Sequence, residues 1–182
     1  MKTDLEILQV RDEPQVVNDI LMLTGVVDRE SIIKLLNDSL ATELVCVLRY
    51  RRQYFMTQSG AMHGAATAFL NFSNAKMEHA DQLARRVVQL GGDPDFAPGT
   101  LLSRSHTDYK DGNSLASMLH QDLVAECTMI AAYRNSIQSL RDSDHATSSL
   151  LEQILSVKEK NADDLADLMV LKPVNELMIA VE

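Results

Sequence analysis

The sequence is poor in aromatic residues, glycine, proline and cysteine. Aromatics make up 4% of its 182 residues, and there are seven glycines, four prolines and two cysteines. Sandwiches and barrels need many turn residues and β-favouring side chains, so this composition favours an all-α domain. The two cysteines, Cys46 and Cys127, are too few for a disulfide framework, and a reducing cytoplasm is the expected compartment.

The sequence also lacks an excess of positive charge and long apolar runs. Its formal net charge is -9 at pH 7, with 17 Lys and Arg against 26 Asp and Glu. A basic surface for nucleic acid is therefore not expected, and we predict no nucleic-acid partner. No signal-peptide core follows Met1, and no apolar run reaches about 18 residues, so neither a leader nor a membrane span is expected.

Turn residues and hydrophobic periodicity divide the chain into three parts. Residues 1–27 form an N-terminal extension of mixed charge, in which a short helix is predicted over residues 14–23. Residues 28–171 are predicted to form a helical bundle. Residues 172–182, which begin with Lys172-Pro173, are predicted to be a C-terminal tail.

Four long helices are predicted in the bundle, and their connections indicate their directions. Their approximate ranges are 28–58, 61–90, 114–141 and 144–171. The first and last connections are short, so the helices that they join should be antiparallel. The middle connection has roughly 22 residues, which when extended can cross the whole length of a bundle. The second and third helices should therefore be parallel.

Each predicted helix has an apolar seam that is interrupted near its middle by polar or ionisable residues. The interruptions, in chain order, are Glu43, Lys76, His79, Glu126, Lys158 and Asn161. Charges in a protein core are costly unless they are paired or bound to metal. Each of the four helices thus has one interruption, formed by one or two of these residues, and the four lie at the same depth in the bundle. They therefore predict one shared buried site.

The interruptions partly match the ligand pattern of a di-iron bundle. Such a bundle has a lone glutamate on two helices and a Glu-x-x-His pair on each of the other two. The ligands present are Glu43, His79 and Glu126, which we assign as candidate metal ligands. The ligand positions with other residues are Lys76, Lys158 and Asn161.

The two lysines are predicted to replace the charge of the metals. Two ferrous ions balance four carboxylates, whereas here two carboxylates face two ammonium groups, and both sums are zero. Two cations would also repel iron, so binding of two irons looks unfavourable. One metal on Glu43, His79 and Glu126 remains an alternative if a lysine is neutral or swings away.

Several sequence stretches resemble bacterioferritins and related bacterial ferritin-like proteins of the ferritin–Dps superfamily. They are Leu36-Asn37 with Leu40 and Glu43-Leu44, His79-Ala80-Asp81 with Arg85 and Leu90-Gly91-Gly92-Asp93-Pro94, Asp122-Leu123-x-x-Glu126, and Ile154-Leu155 through Asp163-Asp164-Leu165. The resemblance covers roughly residues 30–170. It implies a ferritin-like four-helix bundle with one long crossover between the second and third helices, here with a short N-terminal helix added.

The resemblance also implies iron oxidation, ferric storage and assembly into a hollow shell. Met77 falls where bacterioferritins place the haem-ligating methionine at a two-fold subunit interface, and Tyr50 falls where relatives have a tyrosine near the di-iron centre. For Tyr50 and Tyr133, a core tyrosine hydrogen-bonded to a buried carboxylate is the simpler interpretation. Cys46 and Cys127 are most simply small hydrophobic residues.

Three functions are consistent with these residues. The first is a storage or detoxification subunit with a degenerate ferroxidase site, in a homo-oligomeric shell or co-assembled with a catalytic ferritin-like subunit. The second is a metal-free structural or interaction protein on the same bundle. The third is a ferroxidase with a remodelled, mononuclear iron site.

Overall fold

The computed structural model describes the backbone of residues 28–58 and 63–179 and the side chains of residues 28–58 and 64–170. These ranges contain five α-helices and no strand, which confirms the all-α prediction. The helices are α1 (Arg29–Met56), α2 (His63–Gln89), α3 (Leu101–Arg104), α4 (Leu115–Leu140) and α5 (His145–Ile179). The N-terminal extension and its predicted helix lie outside the described residues.

The starts of α1 and α4 follow from local side-chain chemistry. Asp28 precedes α1 and accepts a hydrogen bond from the backbone N–H of Ser31 at 2.9 Å. Ser114 precedes α4 and accepts one from the N–H of Ser117 at 3.2 Å. Each cap satisfies an N–H group that has no partner within the helix, so the sequence defines these boundaries locally.

Side-chain contacts show the directions of the long helices. Along α1, Ser73 of α2 donates to the carbonyl of Val47, while His79 lies beside Glu43, so α1 and α2 are antiparallel. Against α4, Glu43 accepts from Tyr133, and Gln53 donates to Asp122, so α1 and α4 are also antiparallel. It follows that α2 and α4 are parallel, as the long crossover predicts.

The crossover begins at Gly91-Gly92, where the sequence predicts a helix stop. Gly91 has a φ of 71°, in the left-handed region that glycine adopts without strain. The N–H of Gly91 donates to the carbonyl of Val88 at 2.8 Å, and the N–H of Gly92 donates to the carbonyl of Val87 at 2.9 Å. These two bonds form a Schellman cap, which turns the chain away from α2.

The crossover then runs along α1 and is fastened to it by side chains. Asn37 of α1 donates to the carbonyl of Asp93 at 3.1 Å and accepts from the N–H of Asp95 at 2.9 Å. Arg104 at the end of α3 donates to the carbonyls of Asn37 and Asp95, at 3.0 Å each. The helix α3, which the sequence analysis did not predict, places Arg104 for these bonds.

The last helix is longer than the sequence predicts. We expected it to end before Lys172-Pro173, but the backbone of α5 is helical to Ile179. Proline lacks the N–H that would donate to the carbonyl four residues earlier, so one hydrogen bond is lost there. The residues after it include the helix formers Glu176, Leu177 and Met178 and no glycine, which favours continuation.

The buried face of α4 also differs from its prediction. Alternate steps of three and four residues along the predicted third helix place Leu119, Leu123, Glu126 and Ile130 on its buried seam. In the structure Leu123 and Ile130 are only half-buried, and Asp122 and Met129 are fully buried instead. A helix turns once every 3.6 residues, so steps of three and four from Leu119 lead to neighbouring positions on nearly the same face. Only packing decides between them.

None of the helices in the described ranges is long and apolar enough to cross a membrane.

Candidate functional site

The predicted polar layer exists in the core of the bundle. The four charged side chains Glu43, Lys76, Glu126 and Lys158 have no exposed surface. The other two members of the layer, His79 and Asn161, are also buried. Apolar clusters lie on both sides of the layer, one around Leu36 and Leu83 and one around Phe69 and Leu119. The layer is therefore enclosed by apolar packing, where charges interact strongly.

Glu126 of α4 is held by a lysine and a tyrosine from two other helices. The Lys76 ammonium of α2 lies 2.7 Å from Oε1 and 2.8 Å from Oε2 of this carboxylate. The Tyr50 hydroxyl of α1 donates to Oε1 at 3.0 Å. Both carboxylate oxygens thus have hydrogen-bond partners, and one of these partners, the ammonium group, is charged. These contacts offset the cost of burying the carboxylate.

Glu43 of α1 is also held by a lysine and a tyrosine, but both bind the same oxygen. The Lys158 ammonium of α5 donates to its Oε1, and the Tyr133 hydroxyl of α4 donates to the same oxygen at 2.9 Å. Nδ1 of His79 lies 3.5 Å from Oε2, which is long for a hydrogen bond. Each glutamate therefore pairs with the tyrosine of the facing helix, as expected for tyrosines that hydrogen-bond to buried carboxylates.

Lys158 has further contacts that Lys76 lacks. Its ammonium lies 3.4 Å from the thioether sulfur of Met129 and 4.7 Å from the centre of the Tyr133 ring. An ammonium over an aromatic face is attracted by the ring quadrupole. These contacts enclose the ammonium, with Glu43 as its charged partner.

The protonation states follow from burial and charge. Burial raises the pKa of Glu43, but the opposing effect of Lys158, with that of Lys76, is larger and lowers the pKa well below its usual value of 4.5. Burial lowers the pKa of Lys76, but Glu126 and Glu43 outweigh it and raise the pKa above 10.5. For Lys158 burial dominates, and the pKa is lowered despite Glu43. Lys158 is therefore the lysine that holds its proton less tightly.

The residues at the ligand positions do not fit a centre of two ferrous ions. Such a centre needs carboxylate oxygens and imidazole nitrogens directed at the metals. Here both core carboxylates accept hydrogen bonds from ammonium groups, and a carboxamide, Asn161, stands where an imidazole is expected. Among the described side chains, those of residues 28–58 and 64–170, no three of His, Cys, Asp or Glu form a group that could hold a metal ion. The assignment of Glu43, His79 and Glu126 as metal ligands stays a prediction.

A second buried polar cluster, which the sequence analysis missed, lies beside the layer. Nε of Arg49 lies 2.8 Å from Oδ1 of Asp122, and the side-chain amide of Gln53 donates to the same oxygen at 3.1 Å. Burial raises the pKa of Asp122 to about 7, although Arg49 and Gln53 favour the carboxylate. A sequence signal existed, since Asp122 lies one turn before Glu126, but Leu123 was assigned to the buried face in its place.

The remaining candidates lie apart from one another. Met77, the candidate haem ligand, is 39% exposed on the outer face of α2, and its assignment stays a prediction. Cys46 is buried, with its sulfur 3.8 Å from that of Met129, whereas Cys127 is exposed, and both cysteines are free. The two cysteines therefore do not form a disulfide, as expected.

Comparison with known proteins gives similarity both in sequence and in fold. A nutrient stress-induced DNA-binding protein of Synechococcus sp. is 29% identical over 136 residues, which are 72% of this chain and 76% of the relative. The bacterioferritin-related protein of Bacteroides fragilis, described as a dodecameric thioferritin, superposes with a TM-score of 0.76 at 21% identity, over 91% of this chain and 98% of that one.

Two further solved structures have the same fold. An archaeal Dps homologue from Halobacterium salinarum gives a TM-score of 0.72 at 24% identity, over 78% of this chain and 80% of that one. The bacterioferritin of Desulfovibrio desulfuricans, which has a diiron site, gives a TM-score of 0.71 at 20% identity, over 84% of this chain and 86% of that one. The family model of the ferritin-like domain matches residues 33–172, which include most of each of the four long helices, and the chain therefore belongs to the ferritin-like family.

Proposed function

We propose that this chain is an iron-handling subunit of a ferritin-like shell, in which lysine ammonium groups take the place of metal ions in the core. The observation that supports the proposal is the pairing of Lys76 with Glu126 and of Lys158 with Glu43, with all four side chains fully buried. The lysines stand at two of the positions where a di-iron bundle has glutamates.

The charges explain why lysine and iron should exclude each other. Two unit charges about 4 Å apart interact by roughly 4 kcal/mol at an effective dielectric constant near 20, so an ammonium repels a ferrous ion by about twice that. Binding two irons would also break the two ion pairs, and only two carboxylates would balance the four metal charges. We therefore infer from the buried ion pairs that the ferroxidase site of this chain is degenerate.

Iron storage would in that case depend on the shell. The related protein of Bacteroides fragilis is a dodecamer, which supports a homo-oligomeric shell for this chain as well. Such a subunit would contribute shell volume and mineral surface, while a catalytic ferritin-like partner oxidises the iron. The Synechococcus relative is named as DNA-binding, but the net charge of -9 does not favour such a partner for this chain.

An anaerobic titration with Fe(II) tests the core. Purified, metal-stripped and assembled protein is titrated without oxygen, and tightly bound iron is counted per chain. We expect none. One or two irons per chain would contradict the proposal and would identify Glu43, His79 and Glu126 as ligands of a remodelled, mononuclear or dinuclear ferroxidase site.

Mineral loading separates storage from a purely structural role. The assembled protein is given Fe(II) together with a catalytic ferritin, and the iron retained within its own shells is measured after the two proteins are separated. Retained ferric mineral supports the storage subunit. Shells that stay empty, or a chain that does not form shells, would instead support the metal-free structural or interaction protein.

A further inference from the structure

A cavity of about 400 Å³ lies between the crossover and α4, with Arg49 of α1 among its lining residues. Its size is within the range of small-molecule sites. It lies next to the second polar cluster and has no member of the lysine–glutamate layer in its wall. Its wall combines residues 106–110 of the crossover and residues 120–128 of α4 with Arg49, which is far from both in sequence.

The wall of this cavity is basic in an otherwise acidic protein. Arg49 and Lys110 supply two cations, His106 and His120 add imidazole rings, and Asp108 is the single acidic residue of the wall. Asp108 lies 3.4 Å from the Lys110 ammonium. For a chain with a net charge of -9, this reverses the average sign of the surface and favours a ligand that is an anion.

The arginine of the wall is fixed in place before any ligand arrives. Arg49 is 2% exposed; its Nε pairs with Asp122, and a terminal nitrogen donates to the carbonyl of Asp108 at 3.2 Å. A ligand therefore meets a cation whose side-chain entropy is already lost on folding.

His106 is also held in a defined orientation. The Thr42 hydroxyl donates to the carbonyl of Asp38 at 2.8 Å and lies 3.0 Å from Nδ1 of His106. Because the hydroxyl hydrogen is used in the first bond, Nδ1 must be the donor in the second. The backbone N–H of His106 also donates to this hydroxyl at 2.9 Å, so the residue is held to α1 at two points.

We propose that this cavity binds a phosphoryl group, as inorganic phosphate or as part of a small organic phosphate. A tetrahedral oxyanion accepts several charge-assisted hydrogen bonds at once, which suits a wall with one arginine, one lysine and two histidines. The cavity is larger than the anion alone needs, and Val124 and Ala125 give it an apolar side. The site would work whether or not the core binds iron.

Calorimetric titration of the assembled protein in a buffer free of phosphate and sulfate tests the proposal. The probes are inorganic phosphate and phenyl phosphate. Saturable binding of either probe supports the site. Phosphate alone would indicate the free ion as the ligand, and phenyl phosphate alone an organic phosphate. The absence of saturable binding of both at millimolar concentration would overturn it.

Substitutions at exposed positions locate the binding without disturbing the core. Lys110→Gln with His120→Gln should weaken binding at least about tenfold, because it removes two charge-assisted contacts. The matched control, Lys160→Gln with His145→Gln, makes the same changes away from this cavity and should leave the affinity within about twofold. An equal loss in both variants would show non-specific attraction and would refute the assignment.

Discussion

Replacing Lys158 is the most direct test of the ion pairs in the core. Lys158→Met removes the ammonium but keeps a side chain of similar length, so that Glu43 is left buried without its cation. Removal of one partner of a buried ion pair typically costs about 3–5 kcal/mol. The remaining hydrogen bond from Tyr133 at 2.9 Å satisfies one oxygen of Glu43 but supplies no charge. We therefore expect Lys158→Met to lower the free energy of unfolding by about 3–5 kcal/mol.

A second substitution at the same position separates charge from packing. Lys158→Ala removes the charge and most of the aliphatic stem. Alanine lacks three groups that methionine has (a methylene, the sulfur and the methyl). Each contributes about 0.8 kcal/mol when buried, so this variant should be roughly 2 kcal/mol less stable than Lys158→Met. Lys158 has no exposed surface, which means that solvent cannot replace these contacts without rearrangement.

Denaturant unfolding followed by circular dichroism measures these losses, with thermal unfolding as a second readout. Lys160→Ala is the matched control, since Lys160 is 78% exposed and its ion pair with Asp164 is loose at 3.8 Å. It should change stability by less than about 0.5 kcal/mol.

The double variant Glu43→Gln with Lys158→Met should recover much of the loss, because neither charge then remains unpaired. A Lys158→Met protein within about 1 kcal/mol of the parent would refute the view that the lysine compensates Glu43.

Four further predictions concern the core ligands, the pH dependence of stability, haem and DNA. The combination Lys76→Glu, Lys158→Glu and Asn161→His should create a centre that binds two irons per chain in the anaerobic titration, and a folded triple variant without iron would contradict the proposed register. Stability should fall as pH drops below about 4.5, because the pKa of Glu43 is lowered on folding, and it should fall above about 10.5, because that of Lys76 is raised. Burial also raises the pKa of Tyr50 and of Tyr133, so these hydroxyls contribute to the same alkaline loss. Lys76→Met should therefore reduce the alkaline loss of stability, and a loss of unchanged size would contradict the assignment. If Met77 ligates haem, added haemin should give a Soret band that Met77→Leu abolishes. The assembled protein should not shift duplex DNA on a gel at physiological salt, and a salt-sensitive shift would show a basic surface that composition does not predict.

The sequence by itself determined where the long helices begin, where α2 ends, and the composition of the layer. Asp28 and Ser114 cap helices through bonds to residues three positions away, and Gly91-Gly92 ends α2 through bonds within the same turn. Such features depend on neighbours in the chain and can be read locally. Helical periodicity likewise placed Glu43 and Glu126 on buried faces, because a fixed number of residues per turn relates position to face.

Tertiary structure alone decided which groups meet. The sequence does not say that Lys158 pairs with Glu43 and Lys76 with Glu126, because this depends on the relative rotation of helices far apart in the chain. Packing also decided that Asp122, rather than its neighbour Leu123, is fully buried. The two positions lie on either side of Leu119 on the helix surface, roughly 100° apart, so helical periodicity allows either of them to face the core. The basic cavity combines a crossover, α1 and α4, so no local pattern could reveal it. Side-chain identity is local information, whereas a site of charges is made by the three-dimensional distances between them.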